Sequence, residues 1–257
     1  MAWCALCSLT TSDAYSGSIQ KNTCHPHTIV VDPGHGGQNS GAQNPDGHGL
    51  EKQFTLSFSI LLGKELSKLG LHVVMTRSTD KPLTLRRRMQ VAHDEDADRF
   101  ISIHANASTT QSHLGYETYY LSAKAANTAA MGLRHGEGLK HLSTTKHIRS
   151  VLHDSLSVKS VRDSKRFAMD MQKALSKARP KSKNRGVKQG NHHVLLGATM
   201  PAILMEIGFI DHPVEGPELL NSDIQQKIAH TLAKGLFSNV CSQNTNRCIP
   251  NICKPKP

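Results

Sequence analysis

Two histidines and two glutamates, His35, Glu51, His104 and Glu206, are the side chains best placed to do chemistry. Two imidazoles and one carboxylate form the ligand set of a hydrolytic zinc site, with a fourth position left for water. A separate glutamate is what such a site needs to move protons. Glu206 lies inside the apolar run Ala202-Ile203-Leu204-Met205-Glu206-Ile207-Gly208-Phe209-Ile210. Burying a carboxylate there is costly unless something satisfies it. It is either a salt-bridged structural residue or a general base whose pKa is tuned by burial and a nearby cation. The chain has 16 histidines, so one histidine alone says little; the argument rests on the set.

Elements that would position these residues can be read from periodicity. Thr28-Ile29-Val30-Val31-Asp32 is a β-branched apolar run, hence a buried strand. Pro33-Gly34-His35-Gly36-Gly37 ends it in a tight loop. His35 thus stands at a strand's C-terminal end, where ligands gather in α/β sheets. From Glu51 to Leu69, apolar residues recur at spacings of three and four, which predicts a helix stopped by Gly70. Strands are expected at Leu71–Met75, Arg99–His104, Tyr116–Leu121, Val194–Leu196 and Ala202–Glu206. Within Arg99–His104, Ile101 and Ile103 share one face and Ser102 and His104 the other. Helices are expected over Leu83–Ala92, 164–178 and Ile224–Phe237, with a basic linker from Lys177 to Arg185. Alternating strands and helices predict a single α/β domain: a mixed, mostly parallel twisted sheet flanked by helices.

The chain has 257 residues, 37% of them hydrophobic, and no run approaches the roughly 18 apolar residues of a membrane span. Its net charge of +11 suits an anionic partner such as a wall polymer. Nucleic acid rests on charge alone, because no nucleic-acid motif is present. Cys4, Cys7 and Cys24 precede residue 25, Cys241, Cys248 and Cys253 follow residue 240, and none lies between. That placement predicts tail disulfides formed in an oxidising compartment. Six cysteines allow 15 full pairings, and the sequence selects none of them. The apolar patch from Ala2 to Leu9 lacks a preceding basic residue and is no clear signal peptide. Residues 1–27 read as an N-terminal arm, 28–238 as the catalytic domain and 239–257 as a cysteine-containing tail.

Six segments carry a family resemblance, in this order: Ile29-Val30-Val31-Asp32-Pro33-Gly34-His35-Gly36-Gly37, Glu51-Lys52, Ser102-Ile103-His104-Ala105-Asn106, Gly115-Tyr116-Glu117-Thr118-Tyr119-Tyr120-Leu121-Ser122, Arg185-Gly186-Val187-Lys188 and Met205-Glu206-Ile207-Gly208-Phe209-Ile210. Together they resemble the zinc-dependent N-acetylmuramoyl-L-alanine amidases of bacteria, the amidase-3 class. The resemblance implies hydrolysis of the amide joining N-acetylmuramic acid to L-alanine in peptidoglycan, during cell division or wall remodelling. It implies one zinc ion on His35, Glu51 and His104 and Glu206 as the catalytic glutamate. With the tail cysteines, that function points to export to the periplasm or cell envelope, and the chain is expected to act as a monomer. Asn106 is a candidate for holding substrate or orienting a ligand. Asn191, His192 and His193 are candidate cleft residues.

Residues 123–163 are long for a bare connection and read as a regulatory insertion. Several amidases of the class this chain resembles carry an inserted helix that plugs the cleft until an activator protein withdraws it. That resemblance makes Glu137, the one acidic side chain between Thr118 and His153, the candidate plug for the open metal position; the alternative is an ordinary surface helix pair with no regulatory role. Ser143-Thr144-Thr145-Lys146 is an S-x-x-K tetrad, which would give Ser143 and Lys146 a serine carboxypeptidase side activity. Two other readings compete with the amidase: a wall-binding module without catalysis, and a zinc peptidase acting on another wall amide.

Overall fold

The computed structural model describes residues 27–45, 47, 49–122 and 146–243. The elements in chain order are β1 (Thr28–Pro33), α1 (Glu51–Lys68), β2 (His72–Met75), α2 (Leu85–Asp94), β3 (Arg99–Asn106), β4 (Tyr116–Leu121), α3 (Lys146–Ala178), β5 (Asn184–Gly190), β6 (Ala202–Phe209), α4 (Glu215–Leu220) and α5 (Ser222–Gln243). They build a six-stranded sheet in the order β2-β1-β3-β6-β4-β5. β2, β1, β3 and β6 pair in parallel, β4 runs antiparallel to β6, and β5 runs parallel to β4. The mixed, mostly parallel sheet with helices on it is as expected.

The period-two alternation of each strand decides what faces what. Ile29, Val31, Ile101, Ile103, Ile203, Met205 and Ile207 point into the larger core, which α1, α3 and α5 cover with Phe54, Phe58, Leu62, Phe167, Met171, Leu232 and Leu236. Val30, Phe100, Ala202 and Leu204 point the other way, into a smaller cluster closed by Met89 and Ala92 of α2 and by Val194 and Leu195. Asp32, Ser102, His104 and Glu206 share the parity of this second set. The apolar cover on that face stops short of the strand ends, and the polar side chains take over there.

α1 begins where expected because Glu51 sits in its first turn and the Gln53 side chain accepts from the Leu50 N–H at 3.2 Å. It ends at Lys68, with Gly70 at φ 83° taking the chain out. Thr84 caps α2 by accepting from the Arg87 N–H.

Four readings need correction. The expected strand Val194–Leu196 is a single 3₁₀ turn, His193–Leu195, closed by Leu195 N donating to His192 O. Three apolar residues suit a capping turn over the small core as well as a strand. The helix expected over 164–178 is the second part of a longer one that reaches back to Lys146. The Lys177–Arg185 linker is structured: Arg179 is buried against Glu215, and Asn184 opens β5. α5 also runs to Gln243, into the segment read as tail. Cys4, Cys7, Cys24, Cys248, Cys253, Glu137 and Ser143 lie outside the described residues; Lys146 is the first residue of α3.

Candidate active site

The turn after β1 is held before any ligand is considered. His35 has φ 60°, a left-handed conformation that costs a non-glycine residue energy and persists only where its surroundings impose it. Two buried arginines impose it. Arg77 donates to the carbonyls of Pro33 at 3.0 Å and Gly34 at 2.6 Å. Arg88 donates to those of Pro33 and His35, both at 2.6 Å. Asp32 anchors Arg88 at 2.7 Å and also accepts from Thr76 at 2.5 Å and Ser102 at 2.7 Å. Neither arginine was singled out from sequence, although both lie close in the chain to the β2 end and the α2 start.

Around this turn His35, Glu51 and His104 converge, with one candidate ligand atom from each lying within 4.8 Å of the others. His35 Nε2 meets Glu51 Oε2 at 2.9 Å, and His104 Nδ1 meets Glu51 Oε1 at 2.9 Å. The carboxylate also accepts from the backbone of Ala42 at 2.9 Å and Ala105 at 3.1 Å. The other nitrogen of His35, Nδ1, lies 2.9 Å from Asn39 Oδ1, the outer contact that fixes ring orientation and tautomer in metal sites. Burial works to raise the Glu51 pKa, but its hydrogen bonds to His104 and His35 outweigh it and hold the carboxyl far below the usual range. For His35, burial pulls the pKa down and the Glu51 contact more than reverses it. Glycines make room: a Cβ on Gly34 would lie 2.4 Å from the His104 ring, and one on Gly41 would lie 2.5 Å from Glu51 Oε2. Two imidazoles and a carboxylate with this convergence fit a divalent ion of the zinc type.

Glu206 lies between the two halves of the sheet. It pairs with His104 on one side and with Glu117, antiparallel, on the other. A register shift follows directly after the His104–Glu206 pair, the kind of bulge that re-aims side chains beside active sites. Among the described residues Glu206 Oε2 is buried with no hydrogen-bond partner. Burial, followed by the charges of Glu51 and Glu117, pushes its carboxyl well above the usual carboxylate range.

A match to a family model, described as N-acetylmuramoyl-L-alanine amidase, spans residues 29–238 and so contains all four residues. The chain belongs to this family. It is 30% identical over 240 residues to the N-acetylmuramoyl-L-alanine amidase AmiA of Escherichia coli K12, covering 90% of this chain and 82% of that protein. It is 31% identical over 215 residues to the amidase AmiC of Neisseria meningitidis serogroup B, covering 81% of this chain. The chain spans about half of that relative's length, 51%. The crystal structure of an N-acetylmuramoyl-L-alanine amidase from Clostridium difficile 630 superimposes with a TM-score of 0.67 at 27% identity, over 85% of this chain and 99% of that one.

In this member of the family the site has a second wall, on β4 and β5. Glu117 is buried and accepts from four groups: Asn106 Nδ2 at 3.0 Å, Tyr119 Oη at 2.7 Å, Arg185 Nε at 2.9 Å, and Lys188 Nζ. Burial opposes ionisation of Glu117, and the hydrogen bonds led by Lys188 prevail, leaving its carboxyl below the usual range. Asn106 therefore comes into the site through Glu117. His192 packs edge-on against Tyr119, with ring centroids 4.4 Å apart. Asn191 instead accepts from Ser122 at 2.7 Å, and His193 starts the 3₁₀ turn. The signal for Glu117 was present in the alternation of Tyr116–Leu121, which puts Glu117 and Tyr119 on the face opposite Tyr116 and Tyr120.

Proposed function

We propose that this chain is a zinc-dependent amidase that hydrolyses the bond between N-acetylmuramic acid and L-alanine in peptidoglycan, with residues 28–238 as its catalytic domain. His35, Glu51 and His104 hold one zinc ion, and Glu206 is the catalytic glutamate. The observation that carries this reading is the buried Oε2 of Glu206, which has no hydrogen-bond partner among the described residues, on the residue paired with His104. A bound zinc ion supplies Lewis acidity, polarising the amide carbonyl and making water a better nucleophile.

The residues of the chain do the rest. Glu206 accepts a proton as water attacks the amide carbonyl carbon. It returns that proton to the alanine nitrogen as the C–N bond breaks, which leaves a carboxylate on the lactyl group and a free amine on the peptide. A cation held by His35, Glu51 and His104 would offset the like charges of Glu51 and Glu117 that face Glu206, leaving its carboxylate free to act as the base. Asn39 keeps His35 oriented through Nδ1, and the backbone N–H groups of Ala42 and Ala105 keep Glu51 in place. Among the described residues no helix is long and apolar enough to cross a membrane. Export to the cell envelope and a role in division or wall remodelling follow from the substrate.

Digestion of purified peptidoglycan with zinc-loaded protein, with product masses read out, tests this reading. Stem peptides with a free L-alanine amine should appear, vanish with chelator and return with zinc. Binding to the wall without release would support a non-catalytic module instead, and release at another amide would support a peptidase.

A further inference from the structure

Glu117, Arg185 and Lys188 are charged groups beside Glu206 that the hydrolytic step does not use. Glu117 stands directly opposite Glu206 in an antiparallel pair, an arrangement that is unfavourable for two like charges. One cation would neutralise Glu117, yet two reach it, and both meet the same oxygen, Oε2. The second cation is not used on Glu206, whose Oε2 has no partner among the described residues. Oε1 is occupied by Asn106 and Tyr119, so the Glu117 carboxylate is saturated.

Both cations keep donors to spare. Arg185 uses Nε on Glu117 and makes a long 3.5 Å contact from Nη1 to Leu114 O; Nη2 has no hydrogen bond among the described residues. Its guanidinium lies over the Phe209 ring at 5.0 Å, and His113 stacks on the same ring. Lys188 lies 5.8 Å from the Tyr119 ring centroid and gives one of its three N–H groups to Glu117. Their side chains remain 22% and 38% exposed, whereas Glu117 is 2% exposed. The buried carboxylate therefore aims two cations at solvent. The backbone contributes as well: two steps of β4, Tyr116 to Thr118, oppose three steps of β5, Asn184 to Val187, so the extra residue falls at Arg185–Gly186, where Gly186 has φ 83°.

We propose that Arg185 and Lys188 form an anion subsite that recognises a carboxylate on the peptide side of the scissile amide. This inference rests on the amidase reading for the identity of the ligand. On the muramic acid side the amide is carried by an uncharged acyl group, while the alanine side continues into a peptide that ends in carboxylate. A guanidinium fixed by stacking and by Nε suits a planar carboxylate, and Lys188 adds a point charge. Glu117 is then a positioning residue that holds both cations.

The test is direct binding to the full-length, zinc-loaded chain carrying Glu206→Gln. The probes are N-acetylmuramoyl-L-alanyl dipeptide with free carboxylates and the same compound with its carboxylates converted to carboxamides. Calorimetry should show the carboxylate form bound roughly ten-fold or more tightly, as for a charge-assisted contact. Arg185→Gln and Lys188→Met should each shrink that ratio, and together they should bring it to about one. Arg185→Lys should restore part of it. Melting curves control for folding; if the double variant does not fold, the Lys188→Met ratio decides. Equal affinity of the two probes for the parent cleft, or a ratio that survives in the variants, would overturn the subsite. Masses after incubation with the unsubstituted enzyme separate the two claims. A binding ratio that follows Arg185 and Lys188 without any cleavage keeps the subsite and removes the amidase reading.

Discussion

Asp32 and Glu206 occupy the same face of the same sheet, two strands apart, and the fold treats them in opposite ways. Asp32 is fully buried, and its two oxygens receive Thr76, Arg88 and Ser102. Glu215 shows the same pattern beneath β6, accepting from Arg179, Ser182 and the backbone of Gly115 and Phe209. Glu206 has like charges for neighbours and a buried oxygen with no donor among the described residues. A carboxylate whose bonds are complete is a structural fastener. One left open where a cation and a substrate can arrive is available for chemistry.

The two kinds should therefore fail differently when substituted. Glu206→Gln should lower amidase turnover about a thousand-fold, in the range of general acid–base catalysis, while its melting temperature holds or rises. A retained rate, or a fall in melting temperature matching the loss of rate, would erase the distinction. Asp32→Asn should do the reverse. It strands Arg88 without its counter-ion in a buried site, at a cost of about 3–5 kcal/mol read by denaturant titration. The turn carrying His35 should loosen with it.

Gly34→Ala sharpens the comparison from the metal side, because the added methyl lands on the His104 ring. Zinc affinity in a chelator competition should fall on the order of ten-fold, with the chain still folded. The smallest effect concerns Glu65, a fastener between α1 and α5. Its hydrogen bonds to Lys68, first, and His230 lower its pKa to about 2. A lowered folded pKa means that this stabilisation is complete above the unfolded value near 4.5 and drains away as pH falls toward 2. Glu65→Gln should therefore narrow the stability gap between pH 6 and pH 3, measured by thermal melting, and leave turnover at neutral pH as it was.

Periodicity made the parallel half of the sheet legible, because Ile29–Val31, Ile101–Ile103 and Ile203–Met205 are strongly apolar and bounded by turn residues. It placed His35 just after β1 and Glu51 at the start of α1, but β3 runs on to Asn106 and β6 to Phe209, so His104 and Glu206 stand inside their strands and not at the ends expected. β5 was missed because Asn184–Gly190 is a polar edge strand with two glycines, held by pairing to β4 and not by an apolar face. The second wall of the site escaped because Glu117 and Arg185 are 68 residues apart, and only the β4–β5 pairing brings them together. Arg77 and Arg88 carried no signal in the sequence, because the carbonyls they clamp lie 44 and 55 residues away along the chain.

The most direct measurement is hydrolysis of N-acetylmuramoyl-L-alanyl peptide by the zinc-loaded chain in ¹⁸O-labelled water, with mass spectrometry of both products. The account predicts one ¹⁸O in the new lactyl carboxylate and none in the peptide, which gains a free alanine amine, and no products from Glu206→Gln. Label in the peptide, or unchanged turnover in that variant, would contradict it.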